Sequence, residues 1–148
     1  MSTFTQIYLQ IVYSTKNRIP ALKESRRKEL SGYIWGILKN KRCHLYRIGG
    51  VDDHIHMLTS LHPTVDLASL IRDMKTSTTT WIRKESIYFR FPGWQTGYGA
   101  FSKSHADKGA VMKYITRQAE HHKTVSFIDE LKALLREEGI AFDERYLE

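Results

Sequence analysis

The chain has 148 residues, 41% of them hydrophobic, and 23 Lys plus Arg against 16 Asp plus Glu give a formal charge of +7. That length suits one domain with a substantial core, the charge favours an anionic polymer as partner, and no stretch approaches membrane-spanning length. Cys43 is the sole cysteine, which excludes an intrachain disulfide and a cysteine-based zinc site.

Residues 1–148 read as one unit, since only Pro20, Pro63 and Pro92 occur and no Ser/Gly-rich or repeated tract divides the chain. The first residues lack a basic segment followed by a long apolar one, so a cytoplasmic location is expected.

From Phe4 to Ser14 apolar and polar residues alternate, Ile7, Leu9 and Ile11 against Gln6, Tyr8 and Gln10, which predicts a strand. Lys23 to Lys41 has helical spacing, with Leu30, Tyr33, Ile34, Ile37 and Leu38 as the apolar stripe. Leu45 to Val51 and Ile55 to Leu61 read as strands joined through Asp52-Asp53, hence a hairpin. A second helix is expected to about Lys84, with Thr64 as N-cap and Leu67, Leu70, Ile71, Met74 and Trp81 buried. Tyr98 to Ser102 reads as a fourth strand, followed by helices from about Asp107 to His121 and from Ser126 to Glu138, the last ending at Gly139.

This order is the split βαβ pattern of a ferredoxin-like α+β fold, an antiparallel sheet with helices on one side and two more helices after the last strand. Such a fold hosts many functions, so function rests on the site.

The stretch Val51-Asp52-Asp53-His54-Ile55-His56-Met57-Leu58 carries the strongest chemical signal. On a strand, His54 and His56 project to one face while Ile55 points to the other. The spacing admits a two-nitrogen metal site, and equally two partly buried imidazoles that are only hydrogen-bonded. In the helix after Asp107, Tyr114 and Gln118 stand four residues apart on one face. A phenol is a potential nucleophile and an amide oxygen a potential ligand, although a core-edge tyrosine beside a solvated glutamine fits the same spacing.

Together these features resemble the single-tyrosine HUH transposases, the insertion-sequence-200-like family. The resemblance rests on Ser14-Thr15-Lys16-Asn17-Arg18, on Gly49-Gly50 running into the histidine pair, on Trp94-Gln95 with Gly97-Tyr98-Gly99-Ala100-Phe101-Ser102, on Tyr114-Ile115 with Gln118 and His121-His122, and on a closing segment from Gly139 to Leu147. It implies that His54, His56 and Gln118 hold a Mg or Mn ion. It also implies that Tyr114, on a nucleophile helix, attacks single-stranded DNA to leave a 5′-phosphotyrosine and a free 3′-hydroxyl. Hairpin-marked ends as substrate, and a homodimer in which one subunit's tyrosine helix can complete the other's histidine site, follow from the same resemblance.

Lys103, Lys108, Lys113, Arg117 and Lys123 cluster around the nucleophile helix and are candidate phosphate contacts, with Arg72, Lys75, Arg83 and Lys84 on the second long helix. Tyr46, Trp94 and Tyr98 are candidates to stack splayed bases, with core packing the competing role. Two other functions remain open on this reading: a non-catalytic binder of single-stranded DNA or RNA hairpins, such as a repressor or domesticated relative, and a phosphodiesterase for small nucleotides that uses the histidines alone.

Overall fold

The computed structural model describes residues 1–147. The elements in chain order are β1 (Tyr8–Ser14), α1 (Glu24–Asn40), β2 (Leu45–Gly50), β3 (His54–Ser60), α2 (Leu67–Lys84), β4 (Gly99–Lys103), α3 (Lys108–Thr116), α4 (Gln118–His121) and α5 (Phe127–Glu137). The strands form one antiparallel sheet in the order β2-β3-β1-β4, the order a split βαβ chain produces.

Alternation along the strands divides the side chains between two layers. Leu9, Ile11 and Tyr13 of β1 and Ile55 and Met57 of β3 face α1 and α2, packing with Leu30, Ile34, Leu38, Leu70, Ile71 and Met74 in the main core. The opposite face carries His54 and His56 under α3, α4 and α5. There Tyr8 and Leu58 pack with Val111 and Ile115, and Val12 and Phe101 pack with Phe127 and Leu134. All seven residues of β1 are buried, Gln10 included, because both faces of the sheet are covered.

Several expectations shift at element ends. The N-cap of α2 is Asp66, whose carboxylate accepts from the Ser69 amide at 3.2 Å; Thr64 lies outside the helix. An ionised acceptor at this position also complements the positive end of the helix. The helix expected from about Asp107 to His121 is divided at Arg117, which separates α3 from α4. Trp81 is partly buried and stacks on Tyr33, with ring centroids 4.5 Å apart, while Ile82 takes the fully buried place.

One close approach positions α3. A Cβ built on Gly49 of β2 would lie 2.5 Å from the Ile115 carbonyl oxygen, so glycine lets the backbone of α3 rest directly on the sheet. Tyr114 is the neighbour of Ile115 in that helix.

Candidate active site

The turn that carries the first histidine is held from behind. Thr15 donates its amide to the Asp53 carbonyl at 2.8 Å, and the Leu22 amide donates to the Asp52 carbonyl at 2.8 Å. Thr15 also donates its hydroxyl to the Ile19 carbonyl at 2.7 Å, folding the segment after β1 back on itself. Asn17 and Arg18 make that bend in the left-handed region, with φ of 57° and 56°. The Ser14 to Arg18 motif therefore braces the Asp52-Asp53 turn.

Asp53 stands 2.7 Å from His54 Nδ1. An ionised carboxylate only accepts, so Nδ1 carries the proton and the ring presents Nε2 to the site. That nitrogen faces Gln118 Oε1 at 3.2 Å and Glu130 Oε1 at 3.3 Å. His56 Nε2 lies 2.7 Å from the same Glu130 oxygen, and His122 Nε2 lies 3.1 Å from it. The second carboxylate oxygen of Glu130 accepts from Gln118 Nε2 at 3.1 Å and from the Tyr114 hydroxyl. His54, His56, Gln118 and Tyr114 thus meet within one chain.

The junction is buried. His54 and His56 are fully buried, and Glu130 is 2% exposed. Burial opposes the charge on Glu130, but the imidazoles of His122, His54 and His56 against it outweigh that and hold the carboxyl far below the ordinary range. Burial likewise opposes charging His54, yet its contacts with Asp53 and Glu130 raise its pKa above 6.5. His56 goes the other way, because burial exceeds the help from Glu130 and leaves it lowered. For Tyr114, burial first and the Glu130 carboxylate second push the phenol above 10.

Glu130 was absent from the residues singled out in the sequence. It sits on the buried face of α5 between Phe127 and Leu134, and that is the signal that could have found it: an acid inside an apolar stripe is rarely buried unless paired. Burying Phe127 and Leu134 contributes roughly 1.5–3 kcal/mol each, which helps to hold the carboxylate in place. Ser126 caps the helix by accepting from the Asp129 amide at 3.2 Å.

The expected DNA contacts separate into groups. Lys113 and Arg117 line an open pocket with Tyr114 and His121 beside the buried cluster. Lys123 borders a second cleft with His122. Lys108 instead stands over the Tyr46 ring at 4.6 Å, and Lys103 is ion-paired to Glu138 and little exposed. Lys75 is committed to structure, donating to the carbonyls of Gln95 at 2.8 Å and Gly97 at 2.7 Å. Trp94 belongs to the core and donates to the Thr78 hydroxyl at 2.8 Å, so it is not placed to stack a base. Tyr46 packs edge-on against Tyr8, whereas Tyr98 is 41% exposed.

A family model described as "Transposase IS200 like" matches residues 3–118. The chain belongs to this family. Among solved structures, a REP-associated tyrosine transposase bound to a REP hairpin superposes with a TM-score of 0.61 at 15% identity, covering 84% of this chain and 76% of that one. A candidate transposase from Deinococcus radiodurans R1 superposes with a TM-score of 0.54, also at 15% identity, covering 80% of this chain and 95% of that one. No curated protein matches the chain. The segment matched to the IS200-like transposases ends at Gln118, so His122 and Glu130 lie outside it.

The donor set suits a divalent cation. With its proton on Nδ1, His54 turns an Nε2 lone pair toward oxygens of Gln118 and Glu130, an arrangement that is repulsive unless a proton or a cation lies between them. Ligand atoms of His54, His56, His122 and Glu130 all lie within 4.8 Å of one another. No helix among the described residues is long and apolar enough to cross a membrane.

Proposed function

We propose that this transposase-family chain is a metal-dependent endonuclease and strand transferase for single-stranded DNA, with Tyr114 as nucleophile and His54, His56 and Gln118 as ligands of Mg or Mn. The observation that carries this reading is the convergence of the Tyr114 hydroxyl and the two imidazoles on one buried cluster in a single chain. Beside it opens a pocket bearing Lys113 and Arg117, which supplies the positive charge a phosphate backbone needs.

A bound divalent cation would polarise the phosphate and offset the charge that builds on its non-bridging oxygens. The chain's own groups do the rest. Tyr114 forms an Oη–phosphorus bond, the bond from phosphorus to the 3′ oxygen breaks, and the phenolic proton leaves as the departing 3′ oxygen gains one. The products are a 5′-phosphotyrosine and a 3′-hydroxyl. Because the ester conserves the bond energy, a second 3′-hydroxyl can reverse the step without ATP.

Hairpin-marked ends are the proposed substrate, a reading supported by the hairpin bound to one structural neighbour. A homodimer in the cytoplasm is the proposed working form. Within it each Tyr114 can serve its own histidines, as the contacts inside one chain suggest.

One observation favours the alternative of a non-catalytic hairpin binder: the Tyr114 hydroxyl is tied to a carboxylate and its pKa is raised, which keeps it a weak nucleophile. The deciding experiment mixes the protein with Mn and labelled single-stranded hairpins from the flanks of its own coding region. A denaturant-resistant adduct that disappears with chelator supports the transferase. Binding without an adduct, unaffected by chelator and by Tyr114→Phe, supports the binder.

A further inference from the structure

We infer that Glu130 and His122 are themselves ligands of the metal centre, and that Glu130 joins that centre to the nucleophile by holding the Tyr114 hydroxyl on its second oxygen. The inference rests on the reading that His54 and His56 bind a divalent cation, and it deepens it. Neither residue lies in the segment matched to the family.

The geometry points to this from three sides. One Glu130 oxygen is approached by the Nε2 atoms of His56 at 2.7 Å, His122 at 3.1 Å and His54 at 3.3 Å, so all three rings aim at one place. The His122 nitrogen is buried and makes no well-aligned hydrogen bond, its one polar neighbour being that same Glu130 oxygen. Burying a poorly satisfied imidazole nitrogen is unfavourable, and coordination to a cation would satisfy it. Finally, a carboxylate at 2% exposure is rare unless strongly compensated, and a divalent cation held where the three imidazoles converge would compensate it.

The donor chemistry also selects the ion. Three imidazoles, one carboxylate and an amide oxygen make a nitrogen-rich set, which favours Mn and later first-row cations over Mg. Asp53 supports His54 from behind, the arrangement that commonly orients a metal-binding imidazole. On the other side Gln118 Nε2 and the Tyr114 hydroxyl share Glu130 Oε2, which leaves Oε1 for the cation. Glu130 therefore positions the nucleophile as well as the ion.

The test is Mn binding by the full chain after dialysis against chelator, followed by calorimetry, for wild type, Glu130→Gln, His122→Ala and the exposed control Asp129→Asn. Far-ultraviolet circular dichroism without metal establishes that each variant is folded. Affinity should fall at least tenfold in Glu130→Gln and in His122→Ala, since even loss of an outer-shell partner commonly costs about 10–100-fold. Asp129→Asn should bind as wild type. In all of these the wild-type protein should prefer Mn to Mg.

Wild-type affinity in both folded variants would overturn the inference and leave the two-histidine site intact. Tighter binding in Glu130→Gln would overturn it as well, by making the carboxylate an occupant of the cation's place. If Glu130→Gln does not fold, His122→Ala decides alone. Failure of the wild type to bind any divalent cation would instead sink the metal-dependent reading beneath it.

Discussion

The carboxylate of Asp53 lies 2.7 Å from Nδ1 of His54, its neighbour in sequence, and so decides which nitrogen of that ring faces the site. Replacing it by Asn allows the amide to flip and donate, which releases the tautomer. Asp53→Asn should therefore weaken Mn binding and slow adduct formation by about 10–100-fold. Asp53 is partly exposed and braced through its backbone, so the melting temperature should barely move. Titration calorimetry beside a melting curve separates the two effects.

Tyr114→Phe removes the proposed nucleophile and one donor to Glu130. Covalent adduct should vanish while hairpin binding persists. The loss in stability should stay within about 0.5–1.5 kcal/mol, because Gln118 and the imidazoles still contact the carboxylate. Gel mobility with and without denaturant reads both properties, and an adduct retained by this variant would refute the assignment.

Gly49→Ala tests the seating of α3. The new methyl would meet the Ile115 carbonyl at 2.5 Å, and backbone cannot swing aside as a flexible side chain can. A cost of about 1–3 kcal/mol is expected by analogy with overpacked cores. The adduct rate should fall further than the unfolded fraction explains, since α3 carries Tyr114. Denaturant titration and a single-turnover rate on the same sample check this; equal losses would place the effect in stability alone.

Lys75 gives the pH dependence. Burial pushes its ammonium down to about 8 from 10.5. Between those values the folded protein has shed a proton that the unfolded chain keeps, so unfolding takes up a proton and stability rises with pH. Below pH 8 both states are charged and the cost of burying the ammonium is fully present. Wild type should accordingly gain stability relative to Lys75→Met as pH rises from 8 to 10.5, measured by urea unfolding. A flat difference across that range would show that the carbonyls of Gln95 and Gly97 stabilise the ammonium as well as water does.

Much of this was legible from local pattern. His54 and His56 declare themselves because alternation places both on one face, and the strand and helix order dictates the sheet order. Motif alone marks Tyr114 and Gln118, and both side chains reach the cluster even though the helix is interrupted at Arg117. Local pattern failed where tertiary docking chooses among equivalents. Asp129, Glu130, Glu137 and Glu138 look alike along α5, and only its packing against Val12 and Phe101 turns Glu130 inward. Trp94 and Lys103 were candidate DNA contacts for their chemistry, but Thr78 and Glu138 claim them. Thr64 looked like a cap, yet Asp66 is the one aligned with a free amide.

The placement of Glu130 also sets an order of assembly. All four strands and α3 precede α5 in the chain. The two imidazoles, the tyrosine and the glutamine thus all precede the carboxylate that unites them. Until α5 docks, that sheet face lacks both the Glu130 carboxylate and the cover of Phe127 and Leu134. The cluster is therefore complete only once α5 has folded back onto the sheet.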